Sequence, residues 1–477
     1  YYQEPWRPFW EDQDLYFKAQ HLKNQLMNRQ ARMIFGSLKK AYPHIRFLIA
    51  SHTSLAYYPF RNPVGNHDVM AADCVDGIEA QTWSNTLEIP FRYDGRVESR
   101  PFIAGYVDYS YWANLSRQFP EKEMYFVTDP KGDGYTGKTL DHCYKYYRHQ
   151  LVTQLIFSNV YRYCSCEWPD RAYSEGYGQP PFTTPKYKII MNNIISLQGQ
   201  MYRFRGEVQT PNRPLRVGAL LLDTSNYQAG GPGNTVDNDS FFGLVAGLMY
   251  HGLLADTIPV GSLKSNVDIL DSYDLILVSY DLMKPANEHC SQMLKAYVEN
   301  GGCVLFFNGK RDYEDLAHSW WRLGGWDSPC DHLMNLLGCG QSGRRPVKGD
   351  GLSLETGCGL AVTLGLPDTA PEELLGYDEV PGASPLLRCG NAVAAFEKTA
   401  GKGRFFFFGI DPAWFTEEKA GEYLFQIVWA IAEKRLRTAI APRNDILYRR
   451  GPVMGYHAIG DHGDIPEGLY LLTSLAL

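Results

Sequence analysis

The chain has 477 residues, 44% hydrophobic and 21% charged, and its 46 basic and 53 acidic side chains leave a net charge of −7. That length supplies cores for two or three domains, and the ordinary globular composition excludes a disordered chain. With no basic run there is no phosphate-tracking surface, so nucleic acid is not an expected partner. Neither is a membrane, because no apolar run approaches the roughly 20 residues that span a bilayer.

The first stretch, "YYQEPWRPFW", places Glu4 before a proline among aromatics. A long pattern follows, "DLYFKAQHLKNQLMNRQARMIFGSLKKAYP", whose Leu15, Ala19, Leu22, Leu26, Met33 and Phe35 fall near one helical face. "HIRFLIAS" then reads as a buried strand. The cycle repeats with a short helical stretch near "NHDVMAADC" and the strand "VDGIEAQTW". A helix from about Phe102 to Gln118 leads to the strand "EMYFVTD", and one from about Leu140 to Phe157 leads to "NVYRYCSC". The helix "PKYKIIMNNIISLQGQMYRF", with Pro185 at its start, closes the unit.

Helices alternating with short apolar strands predict a parallel sheet. Four such units are half of a (β/α)8 barrel, which takes about 250 residues. A half barrel alone leaves two open sheet edges and an exposed interior. Residues 1–205 are therefore expected to be the C-terminal half of a barrel whose first half, through most of strand four, precedes Tyr1. Glu4 would then stand at the carboxyl end of strand four.

Beyond a linker at 206–214, residues 215–437 read as a second α/β unit, doubly wound. "LRVGALLLD", "YDLILVSYD", "CVLFFNG" and "GRFFFFGID" are its strands. "DNDSFFGLVAGLMYHGLL", "ANEHCSQMLKAYVENGG" and "EEKAGEYLFQIVWAIAEKR" are its helices. The Gly-rich stretch at about 341–395 reads as an insertion, and 438–477 as the start of a C-terminal β domain. Related folds include class I amidotransferases, which need a Cys on a strained turn after a strand. Here "LILVSYD" is followed by Asp281 and Leu282, and Cys290 falls in the next helix. "AGGPGN" lacks the Lys-Ser/Thr of a phosphate-binding loop and reads as an ordinary flexible loop.

The order "EPW", long helix, "AYPHIRFLIAS" resembles the clan A glycoside hydrolases, which carry an acid/base Glu at the end of strand four. The segment from Leu215 to about Arg435 is similar to the flavodoxin-like trimerisation domain that follows the barrel in family 42 β-galactosidases, and "GPVMGYHAIGD" resembles the opening of their C-terminal β domain. This resemblance implies an O-glycosyl hydrolase on a β-linked sugar, with galactosides favoured, and a homo-oligomer, a trimer. The aromatic content, 32 Tyr, 23 Phe and 10 Trp, fits a protein that stacks rings on sugar faces, and it also fits large cores.

Glycoside hydrolysis needs one carboxylic acid on the leaving oxygen and one carboxylate to attack or to activate water. Glu4 fits the first role. Clan A places a Glu at the end of strand seven, whereas this chain has "EMYFVTDPKGDG", with Asp129 at that point. Asp129 is either the second carboxylate or a turn residue before Pro130, and its rivals are Glu79 in "GIEAQTW" and Glu167 in "CSCEWPDR". Trp168 is the candidate floor under the sugar. Trp83 ends strand six, and His52 ends strand five as a hydroxyl partner or a structural histidine. The ten scattered cysteines read as buried thiols without metal spacing, which favours a reducing, cytoplasmic setting. No metal or other cofactor is expected. The alternative function is a non-catalytic carbohydrate-binding or assembly protein on a degenerate glycosidase scaffold, favoured by the missing strand-seven Glu.

Overall fold

The structure, a computed structural model, describes residues 13–55, 65–82, 87–88, 90–128, 139–164, 185–206, 208–228, 238–261, 267–309, 312–316, 318–340, 342–417, 419–459 and 468–471. Its first layer is a parallel four-stranded sheet in the order β1 (Leu48–Ser51), β2 (Gly77–Ala80), β5 (Glu123–Val127), β6 (Arg162–Cys164). Helix α1 (Gln13–Ala41) precedes β1, and α2 (Asn66–Met70) lies between β1 and β2. Helix α3 (Pro101–Gln118) connects onward to β5, α4 (Leu140–Leu155) lies between β5 and β6, and α5 (Pro185–Gln200) follows. The local sequence explains the starts: Pro101 opens α3 where a missing N–H costs nothing, and the Thr139 hydroxyl accepts the His142 amide at 3.2 Å to cap α4.

Side chains alternate across this sheet. Ile78, Ala80, Met124 and Phe126 are buried in the main core against the aromatic side of α3, where Tyr109 packs on Phe126 at 4.8 Å between ring centroids. The opposite face carries Leu48, Ala50, Glu79 and Tyr125, with Leu48 and Ala50 exposed. Among the described residues β1 and β6 have no further strand beside them. The apolar stripe of α1 is also open: Leu15, Leu22, Leu26 and Met33 are exposed and Ala19 is half-buried, while the polar Gln20, Asn24 and Asn28 are buried. Periodicity identified the helix, and the side turned toward the described protein is the polar one. A hairpin that the periodicity did not announce, β3 (Pro90–Tyr93) and β4 (Arg96–Ser99), turns on Asp94–Gly95, both at positive φ, as a two-residue Asp-Gly turn requires.

The second layer is an eight-stranded sheet. Its parallel part contains β7 (Val217–Leu222), β8 (Ala255–Val260), β9 (Leu275–Ser279), β10 (Cys303–Phe307) and β16 (Gly403–Phe408), ordered β8-β7-β9-β10-β16. The chain leaves β7 in one direction for β8 and later crosses back to β9, so right-handed crossovers put helices on both faces. Helix α6 (Asp239–Tyr250) follows β7, α7 (His289–Glu299) follows β9, α8 (Pro329–Leu336) follows β10, and α9 (Ala420–Ile431) follows β16. The stretch at 341–395 contains four strands. β11 (Arg345–Lys348) pairs with β13 (Glu373–Gly376), while β12 (Leu352–Leu354) and β14 (Ser384–Cys389) join β15 (Ala392–Ala400) to extend the large sheet antiparallel. A final antiparallel sheet runs β17 (Asp445–Arg450), β18 (Val453–Ala458), β19 (Gly468–Leu471). No helix among the described residues is long and apolar enough to cross a membrane.

Candidate active site at the carboxyl ends of the parallel strands

In parallel α/β sheets the chain leaves each strand at its carboxyl end, where loops gather functional side chains. The first sheet fixes those ends from behind through a buried polar set. Asp108 of α3 accepts hydrogen bonds from the Thr53 hydroxyl after β1 and the Thr82 hydroxyl after β2. Gln150 of α4 donates to the Thr82 carbonyl at 2.6 Å. Thr128, directly after β5, donates to Gln154 at 3.0 Å and accepts from Gln198 of α5 at 3.3 Å. Asn66 of α2 donates to the His52 carbonyl at 2.8 Å and accepts from the Ser51 hydroxyl at 2.5 Å. Three of the four strand ends are thus held by helices on the far side, leaving the outward loops to vary without disturbing the sheet.

Burial dominates the electrostatics here. It raises the Asp108 carboxyl to about 6, against the opposing hydrogen bonds from Thr53, Thr82 and Trp112. It also lowers the His52 imidazole below its ordinary value, with a hydrogen bond to the Gln81 backbone acting the other way. His52 is therefore a neutral ring at pH 7, suited to exchanging hydrogen bonds with a hydroxyl. Glu79 lies in β2 between Ala50 and Tyr125, half-buried on the open face of the sheet and one residue short of the strand end. Glu79 lies in the strand expected for it, whereas His52 falls one residue beyond the end of β1. Glu4, Trp83, Asp129, Glu167 and Trp168 lie outside the described residues.

The supporting set, Asp108, Thr53, Thr82, Thr128, Asn66, Gln150, Gln154 and Gln198, was missed. Its signal was a single acid in the otherwise apolar and aromatic stretch "FIAGYVDYSYW". Among the described residues no group of three or more His, Cys, Asp and Glu is arranged to hold a metal ion.

The turn after β9 keeps a strained elbow without a nucleophile. Leu282 sits at φ +58, and its amide donates to Asp312 at 2.9 Å. Lys284 is fully buried, donating to the Tyr280 carbonyl at 2.9 Å and to Asp312 at 3.2 Å, with Asp281 at 3.8 Å. Burial raises Asp281 above the usual carboxylate range, while the Lys284 charge opposes that shift. The nearby Cys290 thiol is pushed up to about 12 by burial, which makes it inert at neutral pH. This elbow is a buried ion cluster.

No protein-family model matches the sequence, and no curated protein gives a significant match. Solved structures do match. A cold-adapted β-galactosidase from Rahnella sp. R3 aligns over 93% of this chain and 63% of its own, with a TM-score of 0.55 and 14% identity. A family 42 β-galactosidase from G. stearothermophilus aligns over 93% and 62%, at TM-score 0.58 and 12% identity. The fold is that of family 42 β-galactosidases. A further β-galactosidase, from the haloarchaeon Halorubrum lacusprofundi, aligns over 94% of this chain and 63% of its own, at TM-score 0.55 and 14% identity. The chain spans less than two thirds of each of these neighbours. At such identities it is the family 42 architecture that is shared.

Proposed function

We propose that the chain belongs to a glycoside hydrolase acting on a β-linked sugar, with a β-galactoside as the first substrate class. The observation that carries this reading is the alignment of nearly the whole chain, both α/β layers in one order, with family 42 β-galactosidases. In the finer reading the first sheet is the C-terminal half of a (β/α)8 barrel, with β1, β2, β5 and β6 as strands five to eight. The second layer is then a flavodoxin-like domain of the trimerisation type.

Three features support the half-barrel reading. Parallel sheets are normally covered on both faces, yet one face here leaves Leu48 and Ala50 exposed. Both sheet edges lack a neighbour among the described residues. The apolar stripe of α1 is uncovered. Further strands and helices of a closed barrel would cover all three.

On this reading Glu4 protonates the glycosidic oxygen. Asp129, two residues beyond β5, is the nucleophile or base, with Glu79 and Glu167 as the other carboxylates in reach of the mouth. His52, Trp83 and Trp168 would hold the sugar. The second reading, a sugar-binding or assembly protein, draws its support from Asp129 standing where clan A enzymes carry Glu.

The test is hydrolysis of aryl and alkyl β-galactosides by the full-length protein. Glu4→Gln should lower turnover of the alkyl substrate by about 10² or more while sparing much of the first step on the aryl one, which leaves without a proton. Asp129→Asn should abolish both activities. A fully active Asp129→Asn variant moves the search to Glu79 and Glu167. A wild type that binds sugars and cleaves none favours the second reading. Sedimentation should give a trimer.

A further inference from the structure

A cavity of about 530 Å³ lies between α1 and the carboxyl edge of the second sheet. Its floor comes from the ends of β7 and β8, at Leu222 and Val260, and from Pro285 and Cys290 beyond β9. β7 and β9 are neighbours from which the chain departs in opposite directions, and open α/β sheets bind ligands in the crevice at such a switch point. The cavity shares no residue with the strand ends of the first sheet.

The roof is the polar face of α1. Asn24 and Asn28 line it together with Arg29 and Arg32. Asn28 is 9% exposed, and its amide donates to Asn24 at 3.0 Å. The Asn28 Oδ1 is buried with no hydrogen-bond partner in the protein, and so is the Thr224 Oγ1 across the cavity, on a residue 4% exposed. Leaving a polar atom buried and unpaired costs about 1–3 kcal/mol, so two such oxygens on residues that line one cavity point to a ligand that would satisfy them. An amide oxygen can only accept, so the group that meets it must donate, as a hydroxyl does.

Charge narrows the choice. The carboxyls here are Asp68 and Asp223, and burial holds Asp223 well above the usual carboxylate range. His21, also in the lining, is lowered by burial, with Asp68 acting against the shift. Arg29 and Arg32 thus bring two permanent positive charges to the lining, while burial disfavours the charged form of Asp223. Among the described residues no aromatic ring lines it, which disfavours a nucleobase or a stacked pyranose.

We infer that this cavity binds a small polyhydroxylated anion, whose hydroxyls meet Asn28 and Thr224 and whose charged group meets Arg29 and Arg32. The anionic group is a carboxylate, as in a sugar acid, or a phosphate ester.

Calorimetric titration of the full-length protein tests this with four probes: glucuronate, glucose 6-phosphate, glucose and inorganic phosphate. At least one of the first two should bind tenfold or more tightly than both glucose and phosphate, and the better of the pair identifies the anionic group. Thr224→Val should weaken that binding about tenfold without lowering the melting temperature, because the hydroxyl has no protein partner to lose. Arg29→Gln should weaken it by a similar factor. Inorganic phosphate binding as tightly as the sugar anions, wild-type affinity in Thr224→Val, or no binding of any probe would each overturn the inference.

Discussion

Asp108 offers the sharpest test of how the first sheet is held. It is fully buried in α3 and receives the hydroxyls of Thr53 and Thr82 at the ends of β1 and β2. Burial raises its carboxyl from 3.8 to about 6. Below about pH 4 the group is protonated in both the native and the unfolded chain and makes no difference to stability. Between about pH 4 and 6 the native state keeps a proton that the unfolded chain has released, so stability falls as pH rises. Above 6 the loss is complete. Two pKa units at 1.36 kcal/mol each make it about 3 kcal/mol.

Asp108→Asn keeps an acceptor oxygen for one threonine and carries no charge at any pH. Its stability relative to the wild type should therefore improve by about 3 kcal/mol between pH 4 and pH 7. Urea midpoints for the two proteins, taken across that range under matched buffer conditions, measure the difference directly. Parallel pH profiles would refute the argument, because they would mean that Asp108 titrates as an ordinary exposed carboxylate.

Lys284→Met should cost about 3–5 kcal/mol in denaturant unfolding at pH 7, since it strands Asp281 and Asp312 without their buried cation. The deficit should widen as pH rises through about 8, where Asp281 gives up its proton beside the lysine; a deficit independent of pH would refute the ion-cluster reading. Arg450→Lys should cost about 3 kcal/mol or more by the same measurement. The guanidinium reaches from β17 to the carbonyls of Phe204 at 2.9 Å and Leu155 at 3.1 Å and to the Tyr163 hydroxyl at 3.1 Å, a spread that one ammonium cannot reproduce. Wild-type stability in Arg450→Lys would show that the C-terminal sheet is not anchored to the first unit through this side chain.

The strands most readable in the sequence were those buried on both faces. "LRVGALLLD", "LILVS", "CVLFF" and "GRFFFF" are continuous apolar runs, and they became β7, β9, β10 and β16. β8 escaped because Asp256, Thr257 and Pro259 interrupt its pattern, although all six of its residues are buried. The β3–β4 hairpin was announced by "YDGR", a local turn signal that periodicity does not weigh. For α1 the stripe was legible, but its partner was not: periodicity gives the phase of a helix, and only packing decides which side faces the protein. The positions of Glu79 within β2 and of His52 just beyond β1 were legible from the strand pattern. The set around Asp108 was not, because its members come from four helices and the ends of three strands and meet only after folding.

Helix α3 shows why the two layers do not come apart as simply as their sequences read. Its side toward the first sheet carries Asp108 and Tyr109. On the other side, Tyr106, Ser110, Asn114 and Gln118 fall four residues apart in a single stripe along β8. β8 is the outer strand of the eight-stranded sheet, so its outward backbone groups need partners. Ser110 accepts the Thr257 amide at 2.8 Å, Asn114 donates to the Thr257 carbonyl at 2.8 Å, and Gln118 donates to the Pro259 carbonyl at 2.9 Å. Pro259 lacks an N–H and fits only such an edge. Tyr106 donates to Asp256, which Arg213 also contacts at 2.9 Å. Side chains of one layer thus complete the edge strand of the other, and the same helix braces the ends of β1 and β2. A displacement of the second layer along β8 would shift α3 and, through Asp108, the strand ends from which the loops of the first sheet depart.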